Sequence, residues 1–204
     1  MKSATRILIC MLTVCCAALL APRAAGQVPV VSGTGPVIEG NFGFEYLGQQ
    51  VPSSSRVPMY GVDSGLTVGV SRRFGVRLDV GYARAGNVFS SGHHSDVLSY
   101  LAGPVFYPTS SPRMATYVEL LAGGARVTGA TPDGSGGHIL GYANKFAWAG
   151  GAGLEMRTRA SLAFRVGADY LHTAYFDPNI AVKGEGSIRG VASVMYYFGG
   201  GGRR

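Results

Sequence analysis

Residues 74–82 read FGVRLDVGY, and they alternate without interruption between large apolar side chains and small or charged ones. Alternation with a period of two predicts a β-strand with one apolar face. A soluble sandwich also alternates, but its second face would be rich in Lys, Glu, Ser and Thr. Here that face consists of Gly75, Arg77, Asp79 and Gly81. This composition favours a strand whose second face lines a narrow, crowded interior.

Eight segments of the chain are predicted strands; six show this alternation, and the fourth and fifth are so apolar that their faces are ambiguous. The predicted strands are residues 37–48, 60–72, 74–82, 97–107, 115–127, 146–157, 160–172 and 187–198. In the fifth segment we place Val118 and Leu120 outside and Glu119 inside. The chain has 32 glycines, 11 tyrosines and 9 phenylalanines among 204 residues, a composition typical of sheet with many turns.

The connections between these segments alternate in length. Short connections at residues 71–73, 108–112 and 157–159 separate long ones at 49–59, 85–95, 129–139 and 174–186. Short turns at one end and long loops at the other are typical of bacterial outer-membrane barrels, as is an even strand number. We therefore predict an all-β fold, an eight-stranded antiparallel up-and-down transmembrane β-barrel.

The N-terminus has the pattern of a secretory signal peptide. Lys2 and Arg6 precede an apolar run at residues 7–21, and Ala24 and Gly26 form a small-residue exit. A run of this length falls short of the ~20 residues that a spanning helix needs. We predict cleavage after residue 26, a short periplasmic leader at 27–36, the barrel at 37–198 and a Gly/Arg tail at 199–204.

The predicted signal peptide also contains the chain's three cysteines, at positions 10, 15 and 16. The mature chain would therefore form no disulfide and no zinc–thiolate site. Cleavage of the signal peptide also removes its three basic residues, which lowers the formal net charge from +7 to +4. So small a net positive charge does not indicate nucleic-acid binding.

Charged side chains on the predicted inner face are the main candidate site. They are Glu39, Glu45, Arg77, Asp79, Glu119, Glu155, Arg165, Asp169 and Arg189. An eight-stranded barrel is only wide enough inside for side chains, and buried charges need partners. We interpret the set as a structural network rather than a catalytic pair, and we exclude a general-diffusion porin.

Histidines in or near the long connections are candidates for other chemistry. They are His93, His94, His138 and His172, and their spacing matches no metal-ligand motif. An enzyme acting on lipid could draw on His172 with Asp177, or on Ser95 and Asp96 after the paired histidines. Neither set forms a recognisable motif, so we predict no catalytic residue, no metal and no cofactor.

Aromatic residues near the strand ends are typical of the girdles that flank the apolar band of a membrane barrel. We place Tyr46, Tyr82, Tyr107, Trp148, Tyr170, Tyr175, Tyr196 and Tyr197 in these girdles.

From residue 37 to residue 198 the chain resembles the OmpA/OmpX-like superfamily of small outer-membrane barrels. The resemblance rests on the signal peptide, the strand count, the Arg77–Asp79 and Arg165–Asp169 strands, and the final strand. Val194, Tyr196 and Phe198 are similar to the C-terminal signal that the superfamily's barrel-assembly machinery recognises. A tail follows them here, whereas the signal usually ends the chain.

The resemblance implies a monomer in the bacterial outer membrane, in contact with lipid and lipopolysaccharide. It implies a structural or surface-interaction role, such as envelope integrity, adhesion or host-factor binding, with the four long loops as the contact surface. Two alternatives stay open: a narrow pore or small-ligand-binding barrel, and an outer-membrane lipid-modifying enzyme.

Overall fold

The computed structural model describes residues 37–50, 56–87, 92–132, 138–159, 161–173 and 186–198. For residues 130–132, 138–141 and 159 it describes the backbone alone. The predicted signal peptide, leader and C-terminal tail lie outside the described residues.

Eight strands form one closed antiparallel barrel, which confirms the predicted fold class. They are β1 (Ile38–Gln49), β2 (Val57–Gly69), β3 (Phe74–Ala85), β4 (Ser95–Ser110), β5 (Met114–Pro132), β6 (His138–Arg159), β7 (Leu162–Thr173) and β8 (Gly186–Phe198). Each strand pairs with the next along the chain, and β8 pairs with β1, so the main sheet has no open edge. Within the described ranges, no helix is long and apolar enough to cross a membrane.

The two ends of the barrel differ in the length of their connections. At the end we call the turn end, residues 70–73, 111–113 and 160–161 link the strands. At the opposite end, the loop end, the connections are residues 50–56, 86–94, 133–137 and 174–185. The long connections are therefore shorter than the sequence predicts, the first three because strands extend into them from both sides.

The strands are steeply inclined to the barrel axis. Ile38 pairs with Val68 on β2, and the same row of partners reaches Ile188 on β8, which pairs with Gly48 back on β1. A stagger of this size in eight strands corresponds to a tilt of roughly 40°. Residues of different strands that are not paired with each other can therefore lie at the same height along the barrel axis.

β5 and β6 form a hairpin that continues past the barrel. β4 pairs with β5 up to Gly129, and β7 pairs with β6 up to Ala147, whereas β5 and β6 pair together as far as Pro132 and His138. The predicted loop at 129–139 is therefore wrong in large part, since residues 129–132 and 138–139 are strand. The two hairpin strands satisfy each other's backbone, so Gly129 and Pro132 do not end the pairing.

The outer surface of the barrel is apolar along its whole circumference. Exposed side chains on it include Phe42, Val62, Leu66, Val76, Leu78, Val80, Val118, Leu120, Leu154, Val166 and Val194. Exposing so large an apolar surface to water costs free energy, and contact with hydrocarbon removes that cost. The fold is thus that of a barrel with lipid around it.

Aromatic side chains bound this apolar surface at both ends. Near the loop end lie Tyr46, Tyr60, Tyr82, Tyr100, Trp148 and Tyr170, and near the turn end lie Phe74, Phe106, Phe164, Tyr196 and Phe198. The girdle prediction is wrong for Tyr107 and Tyr197, which are buried inside the barrel. Each shares the inward parity of its strand, with Val105 and Met195 respectively. Tyr175 lies outside the described residues.

Candidate functional site

The interior of the barrel is filled by three layers of side chains. Near the loop end lies a cluster that we call the apolar plug: Leu47, Met59, Ala83, Ala85, Val97, Leu101, Leu121, Ala125, Val127, Ala147, Ala149 and Leu171. None of these side chains is more than 8% exposed. A water-filled passage would wet them, so the plug closes the described lumen at this end. The sequence prediction of a polar interior therefore holds for the lower layers alone.

Below the plug lies a charged layer, which contains all nine predicted interior residues. Every one of them is buried, including the three arginines, whose side chains are among the largest fully buried groups in the barrel. The strands hold them there because inward positions recur at every second residue.

Arg189 joins three strands of this layer. Its Nε and Nη2 donate to Asp169 Oδ2 on the neighbouring β7, at 2.8 and 2.6 Å. Its Nη1 donates to Asp79 Oδ1 at 2.7 Å, across the lumen on β3. Charge-assisted hydrogen bonds of this length are the strong ones. One guanidinium thus ties the last two strands to the first half of the barrel.

Arg77 and Arg165 continue the charged layer toward the turn end. Arg77 Nη2 donates to Asp79 Oδ2 at 2.6 Å, and its Nη1 lies 3.7 Å from Glu119 Oε2. Arg165 Nη2 donates to the same Glu119 oxygen at 2.7 Å, and its Nη1 lies 3.5 Å from Glu155 Oε1. Two carboxylates, Asp79 and Glu119, therefore bridge the three arginines into one network.

Asp63 is a member of the layer that the sequence analysis missed. It is fully buried, accepts a hydrogen bond from Asn41 Nδ2 at 2.8 Å and lies 3.5 Å from Arg77 Nη2. Its parity with Thr67 on β2, which the sequence places inside, was the signal that could have identified it.

Acids outnumber bases in the described interior. Seven carboxylates are buried there: Glu39, Glu45, Asp63, Asp79, Glu119, Glu155 and Asp169. They face three guanidiniums, those of Arg77, Arg165 and Arg189. Each arginine therefore serves several carboxylates, and losing any of them would leave acids without a counter-charge.

A tyrosine layer closes the interior at the turn end. The Tyr107 hydroxyl lies 3.2 Å from Glu155 Oε1 and 3.5 Å from Glu39 Oε2. The Arg165 guanidinium lies 3.6 Å from the centre of the Tyr117 ring, at the distance of a cation–π contact. Tyr197 accepts a hydrogen bond from Arg157 Nε at 3.4 Å. These rings also pack against buried apolar side chains of β4, β5, β7 and β8, namely Val105, Ala115, Ala163 and Met195.

Glycines on the inner face make room for the charged groups. A β-carbon on Gly81 would collide with Glu45 Oε2 and with Ser99 Oγ. A β-carbon on Gly151 would collide with Asp169 in the same way. The high glycine content is thus a steric requirement of a barrel this narrow.

Gly81→Ala is expected to destabilise the folded barrel by about 1–3 kcal/mol, because the added methyl group displaces the Glu45 carboxylate in a filled interior. The measurement is the urea midpoint of unfolding in lipid vesicles. Gly190→Ala is the matched control, since nothing lies within 4 Å of a β-carbon there. Equal midpoints for the two variants would contradict the packing described around Glu45.

The structure does not bring together the three histidines whose side chains it describes. His172 lies on the outer face, where its ring centre is 5.5 Å from that of Trp148 and 6.5 Å from that of Tyr170. His94 Nε2 is 3.6 Å from Asp96 Oδ2 at the loop end. Ser95 faces the interior, away from these groups. No metal-binding cluster of His, Cys, Asp or Glu forms among the residues that the structure describes, while the His138 side chain and Asp177 lie outside them.

The fold and the filled interior define a small closed β-barrel with a lipid-facing exterior. No protein-family model matches the chain, and no curated protein sequence matches it significantly. Solved structures do match. The chain is similar to Ail, the attachment invasion locus protein of Yersinia pestis, with a TM-score of 0.58 and 16% identity, over 80% of this chain and 99% of Ail.

Two further structures share the fold. A major outer membrane protein of Thermus thermophilus matches with a TM-score of 0.52 and 10% identity, over 79% of this chain and 99% of its own. The outer membrane protein OprG of Pseudomonas aeruginosa matches with a TM-score of 0.50 and 11% identity, over 83% and 99%. The resemblance to small outer-membrane barrels is thereby confirmed for the fold.

Proposed function

We propose that the chain is an outer-membrane surface protein that binds external partners through its loop end and performs no catalysis. The apolar outer surface and the outer-membrane proteins that share the fold support this location. Short turns face the periplasm and long loops face the exterior in such barrels, so the turn end is periplasmic and the loop end extracellular.

The filled lumen favours this role over the pore alternative. A permeating ion would have to cross the apolar plug, then the paired arginines and carboxylates of the charged layer, then the tyrosine layer. Barrels with an aqueous channel have about twice as many strands. The charged layer is therefore a structural element in this proposal, and the binding activity resides outside the lumen.

The projecting β5–β6 hairpin is the observation that carries the proposal. Residues 138–146 of β6 pair with β5, and in the described part of the chain the pairing of β6 with β7 ends at Ala147 and Thr173. With the tilt of the strands, the hairpin strands rise roughly 15 Å above the loop-end termini of the other six described strands. Exposed Tyr142 and Phe146 lie along it, and Arg126 packs 4.7 Å from the centre of the Tyr142 ring.

A strand edge of this kind suits the capture of an extended polypeptide, which can add to it through main-chain hydrogen bonds. Ail, whose name records attachment and invasion, has the same fold and lends support to an adhesive role. We accordingly propose a protein partner, engaged at the extracellular hairpin, with the other long loops around it.

Shortening the hairpin tests this function. Residues 129–141 are replaced by Asn-Gly, a two-residue turn that joins the paired positions Thr128 and Tyr142. We expect adhesion of bacteria that express the chain, measured on a panel of immobilised matrix and serum proteins, to fall at least about tenfold if main-chain pairing supplies the affinity. A heat-dependent gel shift verifies that the variant still folds.

The control replaces residues 133–137 alone by the same turn, which keeps both projecting strands because Pro132 pairs with His138. Adhesion should survive this change. Adhesion that survives both changes would refute the hairpin as the binding surface, and loss in both would assign the contact to the tip at 133–137.

A further inference from the structure

The turn end carries a set of arginines that the interior network does not use. Arg72 and Arg73 are exposed in the first turn, Arg113 is exposed in the second, and Arg157 is half-buried near the end of β6. We call these four residues the arginine collar. They come from the β2–β3 turn, the β4–β5 turn and the end of β6, so positive charge extends along the turn end over several strands.

Ordered backbone holds the collar in place. The Arg73 carbonyl accepts a hydrogen bond from Tyr107 N at 2.8 Å, and the Arg113 carbonyl accepts one from Arg157 N at 2.8 Å. Ser71 Oγ accepts from the backbone of Phe74 at 3.2 Å, which fixes the first turn. The collar arginines therefore project from a rigid rim.

Exposed acids do not neutralise the collar. In the described part of the chain, the carboxylates other than Asp96 are buried in the interior, and Asp96 lies at the loop end beside Arg84. The chain's remaining acids, Asp133, Asp177 and Glu185, belong in sequence to the long connections. The described part of the barrel thus keeps its acids inside or at the loop end and displays arginine at the turn end.

The collar lies at the depth where lipid headgroups begin. Arg73 is next in sequence to Phe74, and Arg113 is next to Met114, and both of these apolar side chains are about half exposed on the outer face. The Phe106 ring packs against that of Phe74, and Tyr196 and Phe198 pack together on β8 at the same end of the outer face. Arginine at such a position extends its guanidinium into the headgroup layer while its stem covers apolar surface.

We propose that the arginine collar binds the phosphodiester groups of anionic phospholipids in the periplasm-facing leaflet. A guanidinium donates two parallel hydrogen bonds to phosphate oxygens. Arginine therefore binds a phosphodiester group directly, in a defined geometry, rather than only attracting diffuse counter-ions. The site takes phosphatidylglycerol-type lipids in preference to zwitterionic ones. It anchors the barrel at a fixed depth and holds a shell of anionic lipid around the end that faces the periplasm.

The proposal rests on the membrane location proposed above, and native mass spectrometry of the folded mature chain in detergent tests it. The probes are phosphatidylglycerol and phosphatidylethanolamine with identical acyl chains. We compare the wild type with R72Q/R73Q/R113Q and with the control R56Q/R84Q/R126Q, which removes three exposed arginines nearer the loop end. Arg157 is left intact, since it contacts Tyr197.

We expect the wild type and the control to retain phosphatidylglycerol preferentially. The collar variant should lose that preference by about tenfold or more, since each arginine near a membrane surface contributes roughly a fivefold effect. Excess sn-glycerol 3-phosphate, a soluble phosphate ester without acyl chains, should not displace the lipid.

Three results would overturn the proposal: no lipid preference in the wild type, equal loss in both triple variants, or displacement by glycerol phosphate. The heat-dependent gel shift separates these from a failure of the proposed function. A protein that shows no folded barrel by that criterion refutes the membrane location. A folded barrel without lipid preference refutes the collar alone.

Discussion

Arg189→Leu is expected to destabilise the barrel by roughly 3–5 kcal/mol, because it leaves Asp169 and Asp79 buried without the guanidinium that both contact. The substituted leucine fills most of the volume, so the loss is electrostatic rather than a cavity effect. The measurement is the urea midpoint of unfolding of the mature chain in lipid vesicles, followed by fluorescence of Trp148, the chain's one tryptophan.

Two further variants make this result specific. Arg84→Leu removes an arginine of 53% exposure that lies 3.5 Å from Asp96, and should cost less than about 1 kcal/mol. Arg189→Leu with Asp169→Asn should recover part of the lost stability, since one of the stranded charges is gone. Equal midpoints for Arg189→Leu and Arg84→Leu would show that the interior is wetter than the structure indicates.

Val80→Arg is expected to cost about 2–4 kcal/mol, because it places a charge on the lipid-facing surface between the two aromatic girdles. Val80 lies in the seventh position of the twelve-residue strand β3, and 48% of it is exposed on the outer face. Its neighbours in register are Ser64 on β2 and Tyr100 on β4. Folding yield and urea midpoint in vesicles measure the effect.

Val70→Arg is the matched control for this prediction. Val70 is more exposed, at 73%, but it lies in the first turn, level with the arginine collar. A charge there reaches water and headgroups, so its cost should be within about 1 kcal/mol of zero. If Val80→Arg folded as well as Val70→Arg, the outer surface of β3 would not face hydrocarbon.

The number of strands and the side of the barrel wall on which each residue lies could be predicted from the sequence, because every strand alternates between inward and outward side chains. The stretch at 74–82 displays it completely: Arg77 and Asp79 lie inside, and Leu78 and Val80 lie outside. Glycine on the inner face strengthens the pattern, since a soluble sheet has no need for it. The inward assignment of Glu119 follows from the same parity in a segment that is apolar on both faces.

The loop prediction failed because the neighbouring strand, and not the local pattern, decides the pairing, and the girdle prediction failed because position near a strand end does not override parity. Residues 129–139 are rich in glycine and short side chains, a composition that predicts a loop. The two strands of the hairpin nevertheless pair with each other as far as Pro132 and His138. Tyr107 and Tyr197 lie near strand ends, as girdle residues do, but their parity places them inside.

Contacts across the lumen could not be predicted from local sequence patterns. The hydrogen bond from Arg189 to Asp79 joins residues 110 positions apart, and it exists because the stagger of the closed barrel brings them to one height. Sequence periodicity gives the facing of each residue but not that stagger.

The long hairpin also bears on how the chain reaches its folded state. β5 pairs with β6 over its full length, the longest pairing between described strands, and only five residues connect the two, so many contacts form for a small loss of chain entropy. β1 and β8 must meet across the whole barrel sequence, which is the least local contact of all. We therefore expect assembly to start at β5–β6 and to finish at the β1–β8 seam, with the part that later contacts the exterior ordered first.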